Sequence, residues 1–143
     1  MTSDDKARGF AGFAERVRRF FWLPRGASRG VAPIMPLARV WVACVAVAAG
    51  AAAVGWGDMV VVLIFVGTVS ALTDDVTDGV RYRWPAFVVG LLAGWGTARL
   101  VWAGTPAPAD PDWADYPALA VGSLVAFVIF VGITRLPVAR RGG

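Results

Sequence analysis

From residue 37 to residue 134 the chain alternates long apolar runs with short polar breaks. Residues 59–72 (MVVVLIFVGTVSAL) carry no charge, and residues 85–104 carry a single one, Arg99. Between them, residues 73–84 (TDDVTDGVRYRW) gather Asp74, Asp75, Asp78, Arg81 and Arg83. Two such runs around a polar crank predict a helical hairpin that crosses a bilayer twice. One comparable run precedes this hairpin and one follows it. The pattern therefore predicts four spans, at about residues 37–55, 59–73, 85–104 and 117–134. The second is short, since fifteen residues at ~1.5 Å each reach about 22 Å across a hydrocarbon core of ~30 Å. Flanking residues such as Trp56 must extend it, or the bilayer must thin.

In hydrocarbon the backbone has to satisfy its own hydrogen bonds, which leaves helices or a closed barrel. The runs are continuous and do not alternate as barrel strands do, so helices are expected. The predicted fold class is an all-α integral membrane protein: four transmembrane helices in a bundle, preceded by an N-terminal amphipathic interfacial helix.

That first helix is read from residues 4–23. At 100° per residue Phe10, Phe13, Ala14, Val17, Phe20 and Phe21 share one apolar stripe, while Arg8, Glu15, Arg16, Arg18 and Arg19 take the rest of the circumference. A Phe face opposite Arg suits a helix lying among headgroups, with Phe10, Phe13, Val17, Phe20 and Phe21 buried and Arg16, Arg18 and Arg19 on the polar side. The alternative is a helix packed on the protein's own loops. Arg18-Arg19 stands well before the next apolar run at Leu37, and no small-residue cleavage site follows, so a cleaved signal is not expected. Residues 24–36, rich in Pro and Gly, read as a tether. The expected organisation is then 1–36 as cytoplasmic helix and tether, 37–136 as the transmembrane domain, and 137–143 as a short basic cytoplasmic tail.

Composition sharpens this picture. The 143 residues are 57% hydrophobic with a mean hydropathy of +0.62, and whole segments lack the polar face that a water-exposed domain needs. Eight Lys or Arg precede or open the first span, two lie in the central crank and three follow the last span. The loops at 56–58 and 105–116 have none. The positive-inside rule places both termini and the crank in the cytoplasm of a cell membrane. Trp22, Trp41 and Trp84 would mark the inner boundary, and Trp56, Trp102 and Trp113 the outer one. The net charge of +4, concentrated near the N-terminus, points to an anionic inner leaflet of the lipid bilayer and not to nucleic acid.

Little is left for chemistry. The chain has no His, which excludes imidazole bases and ligands, and one Cys, which excludes disulfides and thiolate clusters within one chain. Ser70 and Ser123 have no His or Lys base nearby in sequence. Asp74, Asp75 and Asp78 do not match a calcium loop, and they are read as solvated, as are Asp110, Asp112 and Asp115. Cys44 is read as a small apolar filler. Small residues recur four apart in every span: Ala46 and Gly50, Gly67 and Ala71, Gly90 and Gly94, and Ala118, Gly122 and Ala126. That spacing lets helices approach closely, either within one protomer or between copies. Arg99, the one ionisable group well inside a run, either snorkels, contacts a ligand, or pairs with Asp58 at the first outer turn.

No motif resembles a particular family. The expected function is non-enzymatic, with no cofactor and no metal: a small polytopic membrane protein acting by helix association, as an accessory subunit or as a homo-oligomer. The alternatives are a holin-like pore former and a small anion channel or transporter using Arg99.

Overall fold

The computed structural model describes residues 30–74, 77, 79–106 and 109–137. The amphipathic segment at 4–23, with Phe10, Phe13, Arg16, Val17, Arg18, Arg19, Phe20 and Phe21, lies outside these residues, as do Asp75, Asp78 and the basic tail.

Four helices make up the described chain: α1 (Ile34–Ala53), α2 (Gly57–Thr73), α3 (Arg83–Gly104) and α4 (Tyr116–Thr134), with a 3-10 turn at Pro111–Trp113. Among the described residues there is no strand, only an isolated bridge between Gly30 and Val80. Three helical segments are long and apolar enough to cross a membrane, and α2, with 17 residues, is the shorter fourth.

The helices begin where proline is tolerated. Pro36, Pro85 and Pro117 all lie in first turns, where the missing N–H has no intrahelical acceptor to lose. α1 stops at a Schellman turn: Gly55 adopts φ +79°, its N–H donates to Ala52 O (3.1 Å), and the Trp56 N–H donates to Ala51 O (2.9 Å). At the other end of α2 the Arg83 guanidinium donates to the carbonyls of Thr73 (2.5 Å) and Asp74 (3.2 Å). A buried cation is thus set against the negative end of that helix.

The sequence reads 59–104 as a helical hairpin and leaves the packing of its two helices open; α2 and α3 make at most marginal contact with each other. α1 pairs with α2, α3 pairs far more extensively with α4, and the two pairs join because α4 also touches α2 and α1. α4 is the hub. It buries Ala118, Leu119, Gly122, Ser123, Ala126, Phe127, Phe130 and Thr134 along its length. Hydropathy could not reveal this arrangement, because α2, α3 and α4 are apolar all round and none shows a stripe to aim at a neighbour.

Two cores result. At the end carrying Arg83, Leu37, Leu72, Val80, Ala86, Phe127 and Phe130 pack with Trp41 and Phe87. At the end carrying Asp112, Ala48, Ala52, Val60, Ile64 and Leu119 pack with Trp102, Trp113 and Tyr116. Residues 30–33 are pinned into the Arg83 end: Gly30 N donates to Gly79 O (3.3 Å), Arg81 N to Gly30 O (3.0 Å), and Ala32 N to Thr134 Oγ1 (3.3 Å).

Candidate functional site

The closest helix approach is the α3–α4 seam, where four of the small-residue candidates meet. A Cβ placed on Gly94 would lie 2.5 Å from Gly122 O, one on Gly122 would lie 2.6 Å from Gly94 O, and one on Gly90 would lie 2.8 Å from Ala126 O. Each glycine therefore lets one backbone rest on the other, in an antiparallel register that also brings Ala98 against Gly122. Ala118 is buried on the same side of α4. In the α1–α2 pair, Gly67 lies directly against the Cys44 sulfur, and Ala71 is buried. Ala46 and Gly50 take no part in packing within the protomer: both are exposed, and among the described residues nothing approaches Gly50. The face of α1 turned inward carries Ala48, Ala51 and Ala52 instead.

Polar contacts tie α1 to α4. The Trp41 indole N–H donates to Ser123 Oγ (3.0 Å), whose hydroxyl donates to Ala120 O (3.0 Å). The Tyr116 hydroxyl donates to Val45 O (3.3 Å). Ser123, which has no catalytic base nearby in sequence, thus has a structural part.

Asp112 also departs from its reading as a solvated loop residue. Its Oδ1 accepts from the Gly57 N–H at 3.1 Å, and so caps α2 from a distant loop, because Trp56, in the cap position, supplies no side-chain acceptor. A Cβ on Gly57 would lie 2.7 Å from Asp112 Cα, so glycine is required for the loop to reach the helix start. Only the tertiary fold brings 57 and 112 together, and no local capping motif announces the contact.

Arg99 and Asp58 do not pair. Both are exposed, and no ion pair joins them among the described residues. They sit on α3 and α2, the two helices that barely touch. The Arg99 guanidinium instead lies 6.0 Å from the Trp102 ring, and Trp102 stacks edge-on with Trp95 at 5.7 Å.

Between α2 and α3 runs an apolar groove of about 220 Å³. Ile64, Phe65 and Thr68 form one wall, Leu91, Trp95 and Ala98 the other, and Gly122, Ser123 and Ala126 of α4 the floor. It exists because α2 and α3 each rest on α4 and not on one another. Compared with models of protein families, with curated proteins and with solved structures, the chain matches none.

No group of three or more potential metal ligands occurs among the described residues. Chemically, the arrangement offers close-packed backbones, an open apolar cleft, and Arg99 with several aspartates at the end of the bundle that carries Asp112.

Proposed function

We propose that the chain is a multi-pass protein of the cell membrane, a bundle of four transmembrane helices that works by helix association, as a self-associating protein or the accessory subunit of a larger complex. One observation carries this reading: the distribution of side-chain size is inside-out. Nine of the seventeen buried hydrophobic residues among those described are alanine, whereas Val42, Val62, Phe65, Val88, Leu92, Trp95, Leu100 and Val128 are all more than half or about half exposed along the helices. Water would drive those large side chains inward, whereas lipid exerts no such drive and leaves close backbone packing to hold the helices. In this reading both termini and the 73–84 crank face the cytoplasm, and the distribution of Arg and Lys supports that orientation.

Association is the function that the free face of α3 favours. Val89, Gly96 and Leu100 are exposed on the side of α3 away from α4, and nothing lies within 4 Å of a Cβ placed on Gly96. A helix of a second copy or of a partner can approach there as Gly122 approaches Gly94. The test is energy transfer between differently labelled copies in liposomes, with a trapped dye reporting leakage. Transfer that falls as lipid is added in excess, without leakage, is expected. Dye release would replace this reading with a holin-like pore, and chloride flux lost on Arg99→Leu would replace it with an anion channel.

A further inference from the structure

The α2–α3 groove has a charged mouth. Phe65 lines the α2 wall, and Asp58 stands seven residues earlier, two helical turns toward the Asp112 end on the same face. Trp95 lines the α3 wall, and Arg99 stands one turn beyond it toward that same end. Helical spacing thus sets a carboxylate and a guanidinium beyond the top of the cleft, one on each of the two helices that wall it, and Asp58 there lines a second hollow with Trp56 and Asp112. Both are exposed, and neither is paired with the other or with another charged group among the described residues. Arg99 is also the only described cation at this end, since Arg39, Arg81, Arg83 and Arg135 belong to the opposite one.

We propose that the groove seats one acyl chain of a zwitterionic aminophospholipid, of the phosphatidylethanolamine type, whose headgroup bridges the two charges: phosphate on Arg99, ammonium on Asp58. The proposal rests on the membrane-embedded reading above. Depth supports the assignment. Arg99 lies five residues inside the end of α3, roughly 7 Å, whereas Asp58 is the second residue of α2, at the very end. A lipid phosphate likewise lies deeper than its ammonium. The long Arg stem can follow the Trp102 ring outward to meet the phosphate, an amphipathic arrangement suited to the interface. From Arg99 down to Leu91 the wall descends roughly 12 Å, all of it apolar. Asp58, Asp110, Asp112 and Asp115 make this end acidic, which disfavours a purely anionic headgroup and favours one that brings its own primary ammonium. A choline headgroup has the charge but no N–H to donate to Asp58.

The test uses the full chain in phosphatidylcholine liposomes with chain-spin-labelled phosphatidylethanolamine, phosphatidylglycerol or phosphatidylcholine, reading the motionally restricted fraction. Phosphatidylethanolamine is expected to be preferred about five-fold over phosphatidylcholine, the equivalent of ~1 kcal/mol. Arg99→Gln and Asp58→Asn should each abolish the preference, while Arg99→Lys and Arg39→Gln retain it. Leu92→Trp, at the exposed rim of the groove, should reduce the restricted fraction for this lipid alone. Equal restriction of all three lipids, a preference for phosphatidylglycerol, or a preference that survives Arg99→Gln would overturn the proposal and leave the membrane reading standing. No restricted component with any lipid would overturn both.

Discussion

Gly94→Ala and Gly96→Ala are the same chemical change in the same helix, two residues apart, and they should have opposite consequences. A methyl group on Gly94 would come 2.5 Å from Gly122 O and 3.0 Å from Ala126 Cβ. Against an optimal separation of ~3.5 Å, α3 and α4 would have to part by roughly 1 Å. A gap of that size forfeits up to about half of the dispersion energy of each contact along the seam, and forced overpacking of this kind costs about 1–3 kcal/mol. The same methyl on Gly96 meets nothing within 4 Å. Both substitutions gain the helix preference of Ala over Gly, about 0.5–1 kcal/mol, so that term cancels between them. The expected difference is therefore the packing alone, about 1–3 kcal/mol, or roughly 5- to 150-fold in the ratio of folded to unfolded protein. Unfolding in mixed micelles with rising dodecyl sulfate, followed by far-ultraviolet circular dichroism, reads it directly, and Gly122→Ala should reproduce the Gly94 result from the other side. Equal shifts for Gly94→Ala and Gly96→Ala would mean that the α3–α4 seam does not hold the fold.

Asp112→Ala removes the cap on α2 and should destabilise by about 1 kcal/mol in the same assay, whereas Asp112→Asn keeps an acceptor oxygen and should lose less. Trp41→Phe and Ser123→Ala should each cost about 0.6 kcal/mol, with a double-mutant cycle returning most of that as coupling. Asp58→Ala and Arg99→Leu should be additive within about 0.5 kcal/mol in lipid-free detergent, because no ion pair joins the two residues; a larger coupling there would contradict their placement on helices that do not pack. A reporter active only outside the cytoplasm should be active when fused within 105–116 and silent after Arg141; activity at the latter site would reverse the topology.

The helices were legible in the sequence because a run of apolar residues closed by Pro, Gly and charge admits few other readings. α1 starts three residues before the expected Leu37, and α2 reaches back to Gly57. Their partners were not legible. With apolar residues on every side, the inward face is chosen by where backbones can touch, and small residues occur on several faces of each helix. Thus Gly94 and Gly122 meet, while Gly50, equally small and equally spaced from Ala46, faces outward. The parts played by Asp112 and Arg83 were hidden for another reason. Each caps a helix to which it does not belong, and capping signatures are local.

That α4 is the hub has a consequence for how the protein is made. α4 is synthesised last of the four helices, and its end follows that of α3 by thirty residues. At ~5–20 residues per second the ribosome needs roughly 2–6 s for that stretch. α1 and α2 can pair while translation continues, but throughout the interval α3 lacks its main neighbour, and Gly90 and Gly94 are without Ala126 and Gly122. A chain stopped in the 105–116 loop would leave α3 stranded permanently. The last helix thus acts as a keystone. Until it is in place, the described helices amount to one pair and one helix still without its main neighbour.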